Sequence, residues 1–174
     1  ENYLSQKHID EVISFTSNRS RMEEIWRCYI QKWAKYGDQV VWQLGLRGKG
    51  DQAVWLADPT APQDLEACGH IITDAIQTQH NLIRQILGHD QFYSTATLWN
   101  EGSKMYSLGY LQLPPNTIAV FSDFGISQMF GEDFYQTPRH SEHKYGIYYH
   151  VAFWSLGPHL AEGCDPRKME YCYR

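Results

Sequence analysis

Four segments of this chain read as strands, and each runs out into a side chain able to move a proton or hold a charged ligand. They are QVVWQLGLRGKGD, ending in Arg47 and Asp51; STATLWNE, ending in Glu101; NTIAVFSD, ending in Asp123; and GIYYH, ending in His150. Parallel strands that end in polar groups on one side of a sheet bring those groups to one place, as (β/α) barrels do at their C-terminal face. The pattern points to an enzyme.

Each residue carries a plainer reading beside the chemical one. Arg47 and Asp51 lie in GLRGKGD, whose glycines let a loop approach a ligand closely, and an arginine there can grip a carboxylate with a bidentate fork. An Arg–Asp pair that staples the loop would explain them as well. The stretch is not a phosphate-binding loop, because no Lys-Ser or Lys-Thr follows the glycines at the required spacing. Glu101 opens a predicted helix, where the helix dipole alone favours an acid; its other reading is a general acid or base. Asp123 fits either a turn cap before Gly125 or a second catalytic carboxylate. Glycosidic hydrolysis uses such a pair, one group protonating the leaving oxygen and the other activating water or attacking.

His150 sits in an aromatic strand, where a hydrogen-bonded core histidine is the common case. His140 and His143 have no third ligand at matching spacing, so they read as a solvated loop and no metal is expected. Trp42, Trp55, Trp99 and Trp154 read mostly as core, with Trp99, at a strand end, placed to stack on a sugar ring.

The elements that position these groups follow from periodicity. Ser20-Arg21-Met22-Glu23 has the form of a capping box, and Met22, Ile25, Trp26, Tyr29, Ile30 and Trp33 follow at helical spacing, which predicts a helix to about Tyr36 whose apolar stripe packs on a sheet. Val40 to Leu46 reads as a buried strand that the glycines from Gly45 to Gly50 end. A second helix is expected from about Gln63 to Leu87, closed by Gly88. Strand Tyr93 to Trp99, helix Gly102 to Tyr110, strand Thr117 to Phe121, a looser segment from Ser122 to Lys144 and strand Tyr145 to Val151 complete the order.

This alternation predicts an α/β fold with a parallel sheet and right-handed crossovers. About four strands are present where a closed barrel has eight. Residues 1–174 therefore read as a segment of a (β/α)8 TIM-type barrel, incomplete on its own, that needs remaining barrel segments or a partner chain.

Composition agrees with a folded enzyme. The chain has 174 residues, 43% of them hydrophobic and 14% aromatic, enough apolar surface for a sizeable core. A net charge of −5 without Lys/Arg clusters argues against a nucleic-acid partner. No apolar run reaches the length of a membrane span. The opening ENYLSQKH shows no signal peptide, and the compartment stays open because a leader could have been removed. Cys28 and Cys68 read as buried helix residues, and Cys164 and Cys172 as a possible bridge. Asn18-Arg19-Ser20 matches a glycosylation sequon, a pattern that also arises by chance.

The succession GLRGKGD, then LWNEGSKMYSLGYLQLPPNTIAVFSDFG, then YGIYYHVAFW resembles the glycoside hydrolase family 115 xylan α-1,2-glucuronidases, in order and spacing as well as in words, from Gln39 to about Pro158. The family's second block typically reads aromatic-Lys-Glu, then a proline, then Asp-Asp-Asn-Tyr-Gly, and its last block reads Tyr-Tyr-His with a tyrosine three positions later. The resemblance implies an inverting glycosidase with a (β/α)8 catalytic barrel, acting on glucuronoxylan or a related uronic-acid-bearing oligosaccharide, with no metal or organic cofactor. A polysaccharide substrate favours a secreted or periplasmic setting. By position it makes Glu101 the acid of the aromatic-Lys-Glu motif, with Trp99 where a tyrosine usually stands, Asp123 the remnant of the acidic stretch, and His150 the active-site histidine. Arg47 and Asp51 become the substrate-binding strand-end loop.

The departures are Ser122-Asp123-Phe124 in place of the longer acidic stretch and Phe153 in place of the final tyrosine. They remove polar contacts a uronate would use. A divergent substrate, a carbohydrate-binding or scaffold barrel without turnover, and an unrelated barrel enzyme such as an aldolase or metal-dependent hydrolase stay open. A Schiff-base aldolase would need a strand-end lysine, and the four ends singled out have none.

Overall fold

The computed structural model describes residues 14–48, 52–123, 130–139 and 143–148. Its elements are α1 (Arg19–Ala34), a 3-10 turn (Gly37–Gln39), β1 (Val41–Leu44), α2 (Val54–Ala57), α3 (Leu65–Leu87), β2 (Tyr93–Leu98), α4 (Asn100–Ser107), β3 (Thr117–Ser122), α5 (Glu132–Gln136) and β4 (Lys144–Tyr148).

The strands form one sheet in the order β1-β2-β3-β4, and every pair is parallel. Each crossover steps one strand in the same direction, and right-handed crossovers that never reverse put their helices on one face. A doubly wound sheet would reverse its order at a switch point. The chain-order sheet with helices between strands is instead compatible with part of a (β/α) barrel, whose helix-free face becomes the interior.

Burial follows the same division. Register puts Trp42, Leu44, Ser94, Ala96, Leu98, Thr117, Ala119 and Phe121 on one face. All are buried, with the apolar ones packed among Ile72, Ile76, Ile83, Met105 and Leu111 of the helical layer and its loops. On the other face Val41, Tyr93 and Tyr148 are 59%, 60% and 44% exposed.

The long helix α3 forms because its apolar residues recur on one side and its ends are capped. Asp64 accepts from Ala67 N at 2.8 Å, and Gly88 takes the left-handed conformation at φ 77° that ends the helix. Cys68, Ile72, Ala75, Ile76, Leu82 and Ile83 form its buried side. Among the described residues no helix is long and apolar enough to cross a membrane.

Several sequence expectations are corrected. The capping box is not made: α1 begins at Arg19, before Ser20, with Asn18 at its N-cap. Glu23 is instead engaged by Arg19 Nε at 2.8 Å, while Arg19 Nη2 donates to Asp74 at 3.0 Å and Thr78 at 2.9 Å on α3. Those bonds show where α1 docks. It packs chiefly on α3, and Tyr29, Trp33 and Tyr36 remain exposed, as does Cys28. Strand β1 is four residues long and alternates exposed with buried, because only one of its faces is covered by helices. Helix α4 starts at Asn100, two residues early, so Glu101 falls within its first turn.

Helix α2 and helix α5 were not anticipated, since each is a single short turn without room for a periodic signal. Beneath β3 and β4, Phe134 of α5 meets Phe121 edge-on at 5.2 Å, and Arg139 lies 4.8 Å from each of those ring centres and 5.1 Å from that of Tyr145. The expected end of the last strand, His140, Trp154, Phe153, Cys164 and Cys172 lie outside the described residues.

Candidate active site

All four strands point the same way, so the residues that follow them share one rim of the sheet. Arg47 lies three residues beyond β1. Trp99 and Glu101 follow β2, Asp123 follows β3, and Tyr148 ends β4.

Four of these are linked by side-chain contacts. Arg47 Nη1 donates to Glu101 Oε1 at 3.0 Å, and the two side chains are only 27% and 22% exposed. The Arg47 guanidinium also lies over the Trp99 ring, 5.2 Å from its centre, a distance at which a cation gains from the ring's negative face. Trp99 in turn meets Tyr148 edge-on at 5.1 Å and 63°. A cation, a carboxylate and two aromatic rings thus line the rim across β1, β2 and β4.

Asp123 sits between them on β3. It is 4% exposed, and its backbone N donates to Tyr148 O at 3.2 Å, which carries the sheet pairing one step beyond the strand. Ser122 spends its hydroxyl on the Asp123 carbonyl at 3.1 Å. Asp51 and His150, the other two predicted site residues, lie outside the described residues. Among the described residues no three His, Cys, Asp or Glu side chains gather as a metal site.

Two of the glycines of GLRGKGD, Gly45 and Gly48, have a local reason. Gly48 N donates to Gln52 O at 2.8 Å, closing the loop as an antiparallel bridge. A Cβ on Gly48 would come within 2.4 Å of Ala57 Cβ and 3.0 Å of Ala53 O, so this glycine admits the neighbouring helix α2 and not a ligand. At the base of the loop, Gly45 is tied to α3 through the side chain of Gln79. Sequence reasoning missed Gln79 and Tyr148. The signal for Gln79 was available, since an amide interrupts the apolar stripe that Ile72, Ile76 and Ile83 form.

Between Leu44, Ile72, Ile76, Leu98 and the Arg47–Glu101 pair lies a crevice of about 30 Å³. It has room for a water or two and none for a sugar ring.

The family model for Glycosyl hydrolase family 115 matches residues 2–173. No curated protein matches the chain.

Proposed function

The chain belongs to Glycosyl hydrolase family 115, a family of glycosidases, and from that premise we propose that it serves the removal of α-1,2-linked glucuronic acid, or its 4-O-methyl ether, from xylan by inversion. The observation that carries this reading is the Arg47–Glu101 pair over Trp99 at the C-terminal rim. A uronate differs from a neutral sugar by one carboxylate, and a guanidinium on an aromatic plane is a receptor for that group.

In this reading the substrate carboxylate and Glu101 compete for Arg47. When the uronate takes the guanidinium, the Glu101 carboxylate is released from its ion pair, takes up a proton from solvent, and then protonates the glycosidic oxygen as the C1–O bond breaks. Asp123 takes a proton from a water on the opposite face of the ring, and the resulting hydroxide oxygen bonds to C1. Inverting enzymes keep their two carboxyls roughly 6.5–9.5 Å apart to admit that water. Side chains leaving adjacent strands, whose axes lie about 4.8 Å apart, can span that gap. Asp51 and His150 would complete the substrate contacts, and surfaces beyond the small crevice would enclose the sugar.

The test is Glu101→Gln in the intact protein. The amide keeps the shape but has no proton to give, so release of uronic acid from aldouronic acids is expected to fall by about 10²–10⁴-fold with an unchanged melting curve. Uronic acid release at the parent rate would remove Glu101 from the mechanism. Proton NMR of the first-formed sugar is expected to show the β-anomer, and the α-anomer would rule out single displacement.

A further inference from the structure

Gln79 occupies a position where the periodicity of α3 calls for an apolar side chain, and it is only 8% exposed. A buried amide costs free energy unless its donor and acceptor are both used. Here both are used on one residue. Gly45 N donates to Gln79 Oε1 at 2.9 Å, and Gln79 Nε2 donates to Gly45 O at 2.8 Å.

Gly45 is the first residue past β1, at φ 153°, a region that side-chain-bearing residues rarely adopt. The amide of α3 therefore grips the main chain where it leaves the sheet. Two residues further on, Arg47 reaches Glu101 and the Trp99 ring. The direction in which Arg47 is launched depends on the Gly45 peptide planes, and Gln79 holds both of those planes.

We propose that Gln79 is a positioning residue for substrate specificity: its two bonds to Gly45 hold the Arg47 guanidinium where a uronate carboxylate docks. This rests on the reading of Arg47 given above. A residue that served only the fold would affect all substrates alike, whereas a residue that aims Arg47 would affect those that carry the carboxylate.

The experiment compares two substrates in the intact protein. One is an aldouronic acid, and the other is the same oligosaccharide with its carboxyl reduced to a primary alcohol. The readout is the ratio of the two kcat/KM values. Gln79→Leu, which matches the volume but makes neither bond, is expected to lower the ratio at least about tenfold, the size of one charge-assisted hydrogen bond lost, with the loss falling on the aldouronic acid and none on the reduced substrate. Gln79→Glu keeps the acceptor for Gly45 N and opposes Gly45 O; it is expected to lower the ratio as well, and it decides the question if Gln79→Leu does not fold.

An unchanged ratio in a folded variant, an equal loss on both substrates, or failure of both variants to fold would overturn the proposal. Arg47→Ala separates this from the underlying reading. If it collapses the ratio and the Gln79 variants do not, only the role of Gln79 falls. If Arg47→Ala leaves the ratio unchanged, or the parent turns over neither substrate, the uronate reading falls and takes this proposal with it.

Discussion

At the scale of single residues, Arg47 shows how a chemically legible side chain can take a partner that its own loop does not announce. The sequence offers Asp51 in the same loop, a residue outside the described ones, and the structure joins Arg47 to Glu101, 54 positions away. That contact exists only because β1 and β2 are parallel neighbours whose ends lie side by side, a fact of topology that local spacing does not contain. Arg47→Lys keeps the charge but loses the planar fork and its seat on Trp99; kcat/KM on aldouronic acids is expected to fall by about tenfold or more, and parent-like kinetics would show that the fork is unused. Asp58 offers a stability counterpart. Burial favours its neutral form, but hydrogen bonds from Ser14, Thr16 and Thr60 outweigh that and bring its carboxyl from 3.8 down to about 2. A depressed carboxyl stabilises the fold above the unfolded value and loses that contribution as pH falls from about 4 through about 2. At about 1.4 kcal/mol per unit, Asp58→Asn is expected to cost roughly 2 kcal/mol near neutral pH in a denaturant titration and to flatten the decline in stability between pH 4 and 2. An equal cost at both ends of that range would mean that the charge of Asp58 is not what holds the loop to Thr16.

At the scale of elements, what the sequence conveyed depended on how long each pattern ran. Helix α3 was readable from its apolar stripe, and its Gly88 stop was readable too, because many turns repeat one signal. The strands were placed to within a residue or two at most of their ends, since apolar runs bounded by glycine, proline and asparagine mark them. The stripe of α1 was equally clear, but periodicity reports that a helix has an apolar face and not what that face meets. Here it meets another helix, with Arg19 locked to Asp74 and Thr78. Close approach between elements was also hidden. A Cβ on Gly69 of α3 would lie 2.7 Å from Tyr110 Cβ and 2.8 Å from Tyr110 O, where the chain leaves α4. Backbone atoms cannot swing aside as a flexible side chain can, so Gly69→Ala is expected to destabilise by about 1–3 kcal/mol despite alanine's better helix propensity. Thermal unfolding would show it, and a raised melting temperature would mean that the α3–Tyr110 contact yields easily.

At the scale of the whole molecule, the four-strand sheet has one face covered by helices and the other lined by Val41, Gln43, Tyr93, Thr95, Thr97, Ile118, Val120 and Tyr148. Val41, Tyr93 and Tyr148 on that second face are largely exposed, and the small crevice at the rim is too narrow for a sugar. In a closed barrel the second face is filled by side chains from the remaining strands, which would also supply the missing walls of the substrate site. We therefore propose that residues 1–174 act as one segment of a larger catalytic barrel and do not turn over substrate alone. A half-covered sheet exposes apolar surface and unpaired strand edges, both of which promote association. Purified residues 1–174 are expected to scatter light as polydisperse aggregates, or to melt without a sharp transition, and to release no uronic acid from aldouronic acids. Joining the chain to its remaining barrel segments, in one polypeptide or by co-expression, is expected to restore a single cooperative melt and turnover together, because the same surfaces that cover the open face also close the site. A monodisperse 174-residue monomer that melts cooperatively and hydrolyses aldouronic acids would show that the exposed face needs no cover and that the rim residues described here suffice for the reaction.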